Sequence, residues 1–296
     1  MRPPLATRSN KMIAGARTSP VRCLLLASAL PAVVAVGAAP AFAQSITAPE
    51  AGLTSALGVE ERGAPGEWTF TLGAGAGFAP DYEGSDDYTA VPLLFGRAQR
   101  DDFFVTLEAN TLRANLLPHP VFQIGPVLRY RPERDDVDSD AVDDLADVDA
   151  AVEAGVFAGF EAGGWHGRVE ATQDFADAHD GWLVGLRGGY RAVLLPDLSL
   201  NTTAFATYAS EDYMETYFGI DAADAARSGL DTFDADSGFK DVGLSLAARY
   251  GRREGFGVTA IAAYKRLLDD AADSPVVDDE GSADQFFGGL LVSYGF

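Results

Sequence analysis

Three sets of residues in this sequence could do chemistry. The histidines are His119, between two prolines, His166, at the start of a strand-like run, and His179, in an aspartate-rich segment. A metal centre or a serine–histidine hydrolase site needs several such groups brought to one point, and the strand pattern below sends His119 and His179 to opposite ends of the fold. The second set is Asp136, Asp138 and Asp140 with Asp147 twelfth in the run, an oxygen-ligand spacing like that of a calcium loop. Ala141 stands where the sharp turn wants glycine, and Asp147 is shorter than a bidentate glutamate. This segment therefore reads as a solvated acidic loop, bridged at most weakly through divalent cations to lipopolysaccharide phosphates. The third set is arginines and carboxylates that recur at every second position: Arg129, Arg131, Arg187 and Arg191 with Asp149 and Glu153, and with them Arg168, Arg249, Glu161 and Glu170. Such a set can line a pore or pair into a plug. No catalytic residue, cofactor or metal ligand is predicted.

Period-two alternation is what would position these charges. Trp68, Phe70, Leu72, Ala74, Ala76 and Phe78 alternate with threonine and glycine, and the residues after Val148 set Val152, Val156 and Phe160 against Glu153 and Glu161. A strand sends successive side chains to opposite faces, whereas a helix would scatter those charges among the apolar positions. Read this way, strands fall near 68–78, 88–98, 102–109, 110–117, 122–131, 148–162, 165–175, 182–194, 198–208, 242–250, 256–264 and 285–296. The count is twelve, within a range of 10–14.

Residues 1–43 carry five basic and no acidic residues, a short apolar run and Ala41-Phe42-Ala43, and read as a signal peptide cleaved before Gln44. Residues 44–66 read as a flexible periplasmic leader and 67–296 as the folded domain. Cys23 lies within the signal, so no disulfide scaffold is expected beyond it. Past residue 43 there are 17 basic against 44 acidic residues, a net charge of −27, which argues against nucleic acid as a partner. No stretch there approaches 18 consecutive apolar residues. Strands can cross a membrane only as a closed barrel, which pairs every backbone group without water. The expected fold is therefore all-β, a transmembrane antiparallel barrel in the outer membrane of a Gram-negative bacterium, surrounded by its lipids and lipopolysaccharide.

Connection lengths support that topology. The turns near Gln99, Pro118, Gly163, Pro196 and Gly251 are short and alternate with mostly long connections, as in barrels with periplasmic turns and external loops. Leu290, Val292, Tyr294 and Phe296 form one apolar face that ends on an aromatic residue, like the terminal strand read by the barrel-insertion machinery. This strand is expected to close the barrel against 68–78. Tyr82, Tyr213, Tyr217 and Phe218 are expected to anchor strands in the interfacial aromatic girdle, the alternative being a loop-packing or ligand surface.

Several stretches resemble the MipA/OmpV family of outer-membrane proteins. Pro80, Asp81, Tyr82, Glu83, Gly84 and Ser85 resemble its first external loop. Tyr213 and Met214 with Tyr217, Phe218 and Gly219 resemble its most distinctive segment, and the run from Tyr264 through Ser274 and Pro275 is similar nearly position by position. The resemblance implies a non-enzymatic scaffold that joins a lytic transglycosylase to a penicillin-binding peptidoglycan synthase in cell-wall growth. The alternatives are a narrow porin-like channel and an outer-surface adhesion or stress-response protein.

Overall fold

The computed structural model describes residues 65–252 and 254–296. The expected signal peptide, 1–43, and all but the last two residues of the leader, 44–66, lie outside the described residues. Twelve strands form: β1 (Trp68–Pro80), β2 (Tyr88–Arg100), β3 (Phe103–Glu108), β4 (Thr111–Asn115), β5 (Phe122–Arg131), β6 (Ala151–Ala162), β7 (Trp165–Asp174), β8 (Trp182–Leu195), β9 (Leu198–Ala209), β10 (Gly238–Gly251), β11 (Gly255–Leu267) and β12 (Asp284–Gly295). Each pairs antiparallel with its sequence neighbours, and β12 closes on β1 through the register Thr71↔Gly295 to Phe78↔Gly288. The barrel thus has no unpaired edge, as a structure in hydrocarbon requires.

Alternation puts the apolar set outside. Trp68, Phe70, Leu72 and Phe78 of β1 are exposed on the outer surface, as are Leu290, Val292 and Phe296 at the other side of the closure. Inside, Val91, Leu93, Phe95, Ile261, Phe287 and Leu291 pack into an apolar cluster beside β1. Inward glycines let neighbouring strands come close. A Cβ on Gly75 would sit 1.9 Å from the Leu290 carbonyl oxygen, and one on Gly155 1.9 Å from that of Ala171, so only glycine lets these strands approach so closely.

Two features depart from the sequence expectation. β6 begins at Ala151, so Val148 and Asp149 belong to the preceding loop; Val148 pairs with Arg134 in an isolated bridge, and Asp149 is exposed rather than lumenal. The long connections also fold into short helices: α1 (Asp140–Asp143), α2 (Glu211–Phe218), α3 (Ala222–Ser228), α4 (Asp269–Asp273) and α5 (Pro275–Asp278). None of these helices is long and apolar enough to cross a membrane.

Candidate functional site: a capped lumen and a vestibule

The external loops converge on one core. In α2 the apolar residues Tyr213, Met214, Tyr217 and Phe218 recur at helical spacing, so they share a face, and all four are buried. They pack with Tyr82 from loop 81–87, Val137, Val142 and Leu145 from loop 132–150, and Val276 and Val277 of α5. Hydrogen bonds join the loops as well: the Tyr82 hydroxyl donates to the Glu280 carbonyl at 3.0 Å, the Ser139 hydroxyl to the Glu280 carboxylate at 2.9 Å, and the Ser274 hydroxyl to the Phe218 carbonyl at 2.6 Å. Burial pushes the phenols of Tyr82 and Tyr217 up to about 12, which keeps both neutral. The girdle assignment of Tyr82, Tyr213, Tyr217 and Phe218 thereby gives way to the loop-packing alternative, because the helix turns Tyr213, Tyr217 and Phe218 onto the barrel mouth, where Tyr82 packs with them, instead of toward lipid. The acidic loop is likewise docked: its valines are buried, while Asp136, Asp138 and Asp140 remain exposed.

Glu83 ties this lid to the barrel wall. Its carboxylate accepts from the Tyr213 hydroxyl at 2.8 Å, from Lys265 Nζ at 2.8 Å and from Lys240 Nζ. Burial alone would raise its pKa, but Lys240, Lys265 and Arg131 together hold it well below the usual carboxylate range. Lys240 reaches it because the β9–β10 register slips between Phe239 and Asp241, which points both Lys240 and Asp241 inward.

Below the lid, charges from β3 to β7 form a ladder. Glu153 accepts from Arg131 at 2.8 Å, from Arg129 at 3.0 Å and from the Thr172 hydroxyl at 3.0 Å. Arg129 also meets Glu170, which accepts from Arg113 at 2.6 Å, and Arg113 continues to Glu108 at 2.8 Å. Arg129, Arg131 and Glu153 therefore lie in the lumen, and Arg187 lines a small cavity of about 80 Å³ under the lid. Glu108, Arg113, Lys240 and Lys265 were missed by the sequence reading. The parity of Glu108 and Arg113 across the β3–β4 hairpin was the signal that could have found the first two.

The opposite end is built from short turns and encloses a vestibule of about 350 Å³, with Arg97, Gln99, His119, Gln123, Glu161 and Arg191 among its walls. His119 Nδ1 accepts from the backbone N–H groups of Val121 at 3.1 Å and Phe122 at 3.0 Å, which places a proton on Nε2. His166 Nε2 lies 3.1 Å from the Thr203 hydroxyl, and His179 is buried beneath the lid against Tyr213 and Tyr217. The three histidines do not share a site.

Comparison with known proteins bears on both fold and location. A sequence model of the family described as MltA-interacting protein MipA matches residues 72–296. An Escherichia coli O157:H7 protein named "Putative outer membrane protein YiaT" is 30% identical over 215 residues, covering 70% of this chain and 84% of that protein. The MltA-interacting protein of Escherichia coli strain K12 is 36% identical over 69 residues, 23% of this chain and 27% of that protein. Among solved structures, the COG4313 outer membrane channel from Pseudomonas putida F1 is similar with a TM-score of 0.44 and 11% identity, over 79% of this chain and 97% of that one. The CymD monoaromatic hydrocarbon channel gives a TM-score of 0.41 and 12% identity, over 86% and 94%. The protein is a β-barrel of the outer membrane, and the chain belongs to the family described as MltA-interacting protein MipA.

Proposed function

We propose that this barrel is a non-enzymatic and non-conducting anchor that holds a lytic transglycosylase, together with a penicillin-binding peptidoglycan synthase, at the inner face of the outer membrane during cell-wall growth. The observation that carries this reading is the closure of the external mouth. Loops from around the mouth are packed into one apolar core and tied to the wall through Glu83, and a ladder of paired charges fills the lumen beneath them. A barrel plugged in this way gains nothing from being a pore, and its accessible side faces the periplasm, where such enzymes work. The name of the MltA-interacting relative supports the same partner class. The test is an affinity pull-down from detergent-solubilised membranes together with planar-bilayer recordings of the purified barrel. Co-recovery of a lytic transglycosylase and a penicillin-binding protein with silent bilayers is the expected result; steady open currents without either partner would replace the anchor with the narrow-channel alternative. Robust phospholipase or lipid A deacylase turnover lost on His166→Ala would overturn the non-enzymatic part.

A further inference from the structure

The periplasmic vestibule holds hydrogen-bonding groups that the fold does not use. Arg191 projects from β8 into it, and its guanidinium has no carboxylate partner among the described residues. The Gln123 side-chain amide, on β5 across the cavity, makes no hydrogen bond among the described residues. His119 engages the backbone through Nδ1, so its Nε2–H remains a donor on the far edge of the ring. These donors belong to a chain whose described folded part is strongly acidic, and they meet at the end of the barrel that its loops leave uncapped. The Phe104 ring, covered by the Arg97 guanidinium at 3.9 Å, borders the same space, and the exposed Trp165, tilted against Tyr190, lies at its rim. The Gln99 amide is engaged by the fold: its oxygen accepts from Arg97 Nε and its nitrogen donates to the Asp101 carbonyl.

We infer that this vestibule binds an acidic saccharide of about two rings. The Arg191 guanidinium takes the carboxylate as a planar fork, and Gln123 and His119 donate to ring and hydroxyl oxygens. A volume near 350 Å³ falls in the range of small-ligand pockets. A peptide strand is a poorer match, because the closed barrel offers no free strand edge at this mouth on which a peptide could extend the sheet. The inference rests on the cavity and not on the anchor reading, and the enzyme pull-down and the binding test can fail separately.

The test is isothermal titration of the detergent-solubilised full barrel with a glucuronic-acid disaccharide, a neutral disaccharide of the same size, an acidic dipeptide and inorganic phosphate. The acidic disaccharide is expected to bind at least tenfold more tightly than each of the other three. Arg191→Gln should abolish that preference, Arg191→Lys should restore part of it, and Arg266→Gln at the external end should leave it unchanged. Folding of each variant is checked by heat-modifiable migration, and Gln123→Ala, expected to weaken binding about fivefold, replaces Arg191→Gln if that variant does not fold. Equal binding of the neutral sugar, equal or tighter binding of dipeptide or phosphate, no measurable binding of the acidic sugar, or full affinity in folded Arg191→Gln and Gln123→Ala would each overturn the assignment.

Discussion

At the external end, connections of up to 28 residues fold onto one another, bury their aromatic rings and pair lumenal charges with loop carboxylates; at the periplasmic end, turns of two to six residues cover nothing. The strands are the same at both ends, so the difference lies in what the loops contribute. Externally, Glu83 meets two lysines and a tyrosine hydroxyl, so the charges that tie lid to wall are paired with one another. At the periplasmic end Arg191 and Gln123 face a cavity without side-chain partners among the described residues. Polar groups satisfied internally hold a structure together, whereas groups left with donors to spare are available to something outside it.

The comparison is broken most severely by removing a carboxylate from the ladder beneath the lid. Glu153→Ala leaves Arg129 and Arg131 buried without their shared partner, and urea unfolding of the folded barrel should register a loss of about 3–5 kcal/mol. Asp149→Ala, in the exposed loop, should stay within about 0.5 kcal/mol in the same assay.

Met214→Ala comes next. It empties a fully buried position in α2 and should cost the lid about 2–5 kcal/mol, read as faster hydrogen exchange in residues 210–237 while the strand amides keep their protection. Uniform loss of protection would mean that lid and barrel unfold as one unit.

Acid should loosen the lid by a smaller amount. The folded-state pKa of Glu83 is depressed, so its contribution is present above the unfolded value of about 4 and is lost as pH falls through the lower folded value. Burial raises the pKa of Asp81, which works in the opposite sense: its protonation favours the folded lid and offsets part of that loss. Pepsin cleavage within the external loops should therefore rise below about pH 4, and Glu83→Gln should already be more cleavable at pH 4–5 with a flatter pH profile. The smallest effect belongs to the periplasmic turns. Asp101 has a φ of 53°, and Asp101→Gly relieves that conformation but removes the bond its side chain accepts from the Gly66 N–H, for a net change within about 0.5 kcal/mol.

Much of the barrel was legible because alternation is local. A residue at every second position of 122–131 or 151–162 faces the same way whatever the rest of the chain does, so Arg129, Arg131 and Glu153 could be assigned to the lumen in advance. The same rule failed at Val148 and Asp149, where alternation runs on past the end of the sheet, and at Lys240, where a bulge breaks parity. It also had nothing to say about the aromatic residues of α2. Their spacing is helical, and a short helix in a loop gives no sign of which surface it will cover.

The sequence by itself determined the twelve alternating segments, the outward aromatic faces and the contrast of short turns with long loops, because each depends on neighbours a few residues apart. Only the tertiary structure decided that the long loops close the external mouth and leave the periplasmic one uncovered. That closure depends on partners such as Glu83 with Lys265 and Gly84 with Gln285, 182 and 201 residues apart, which meet only after the barrel has brought β1, β11 and β12 side by side.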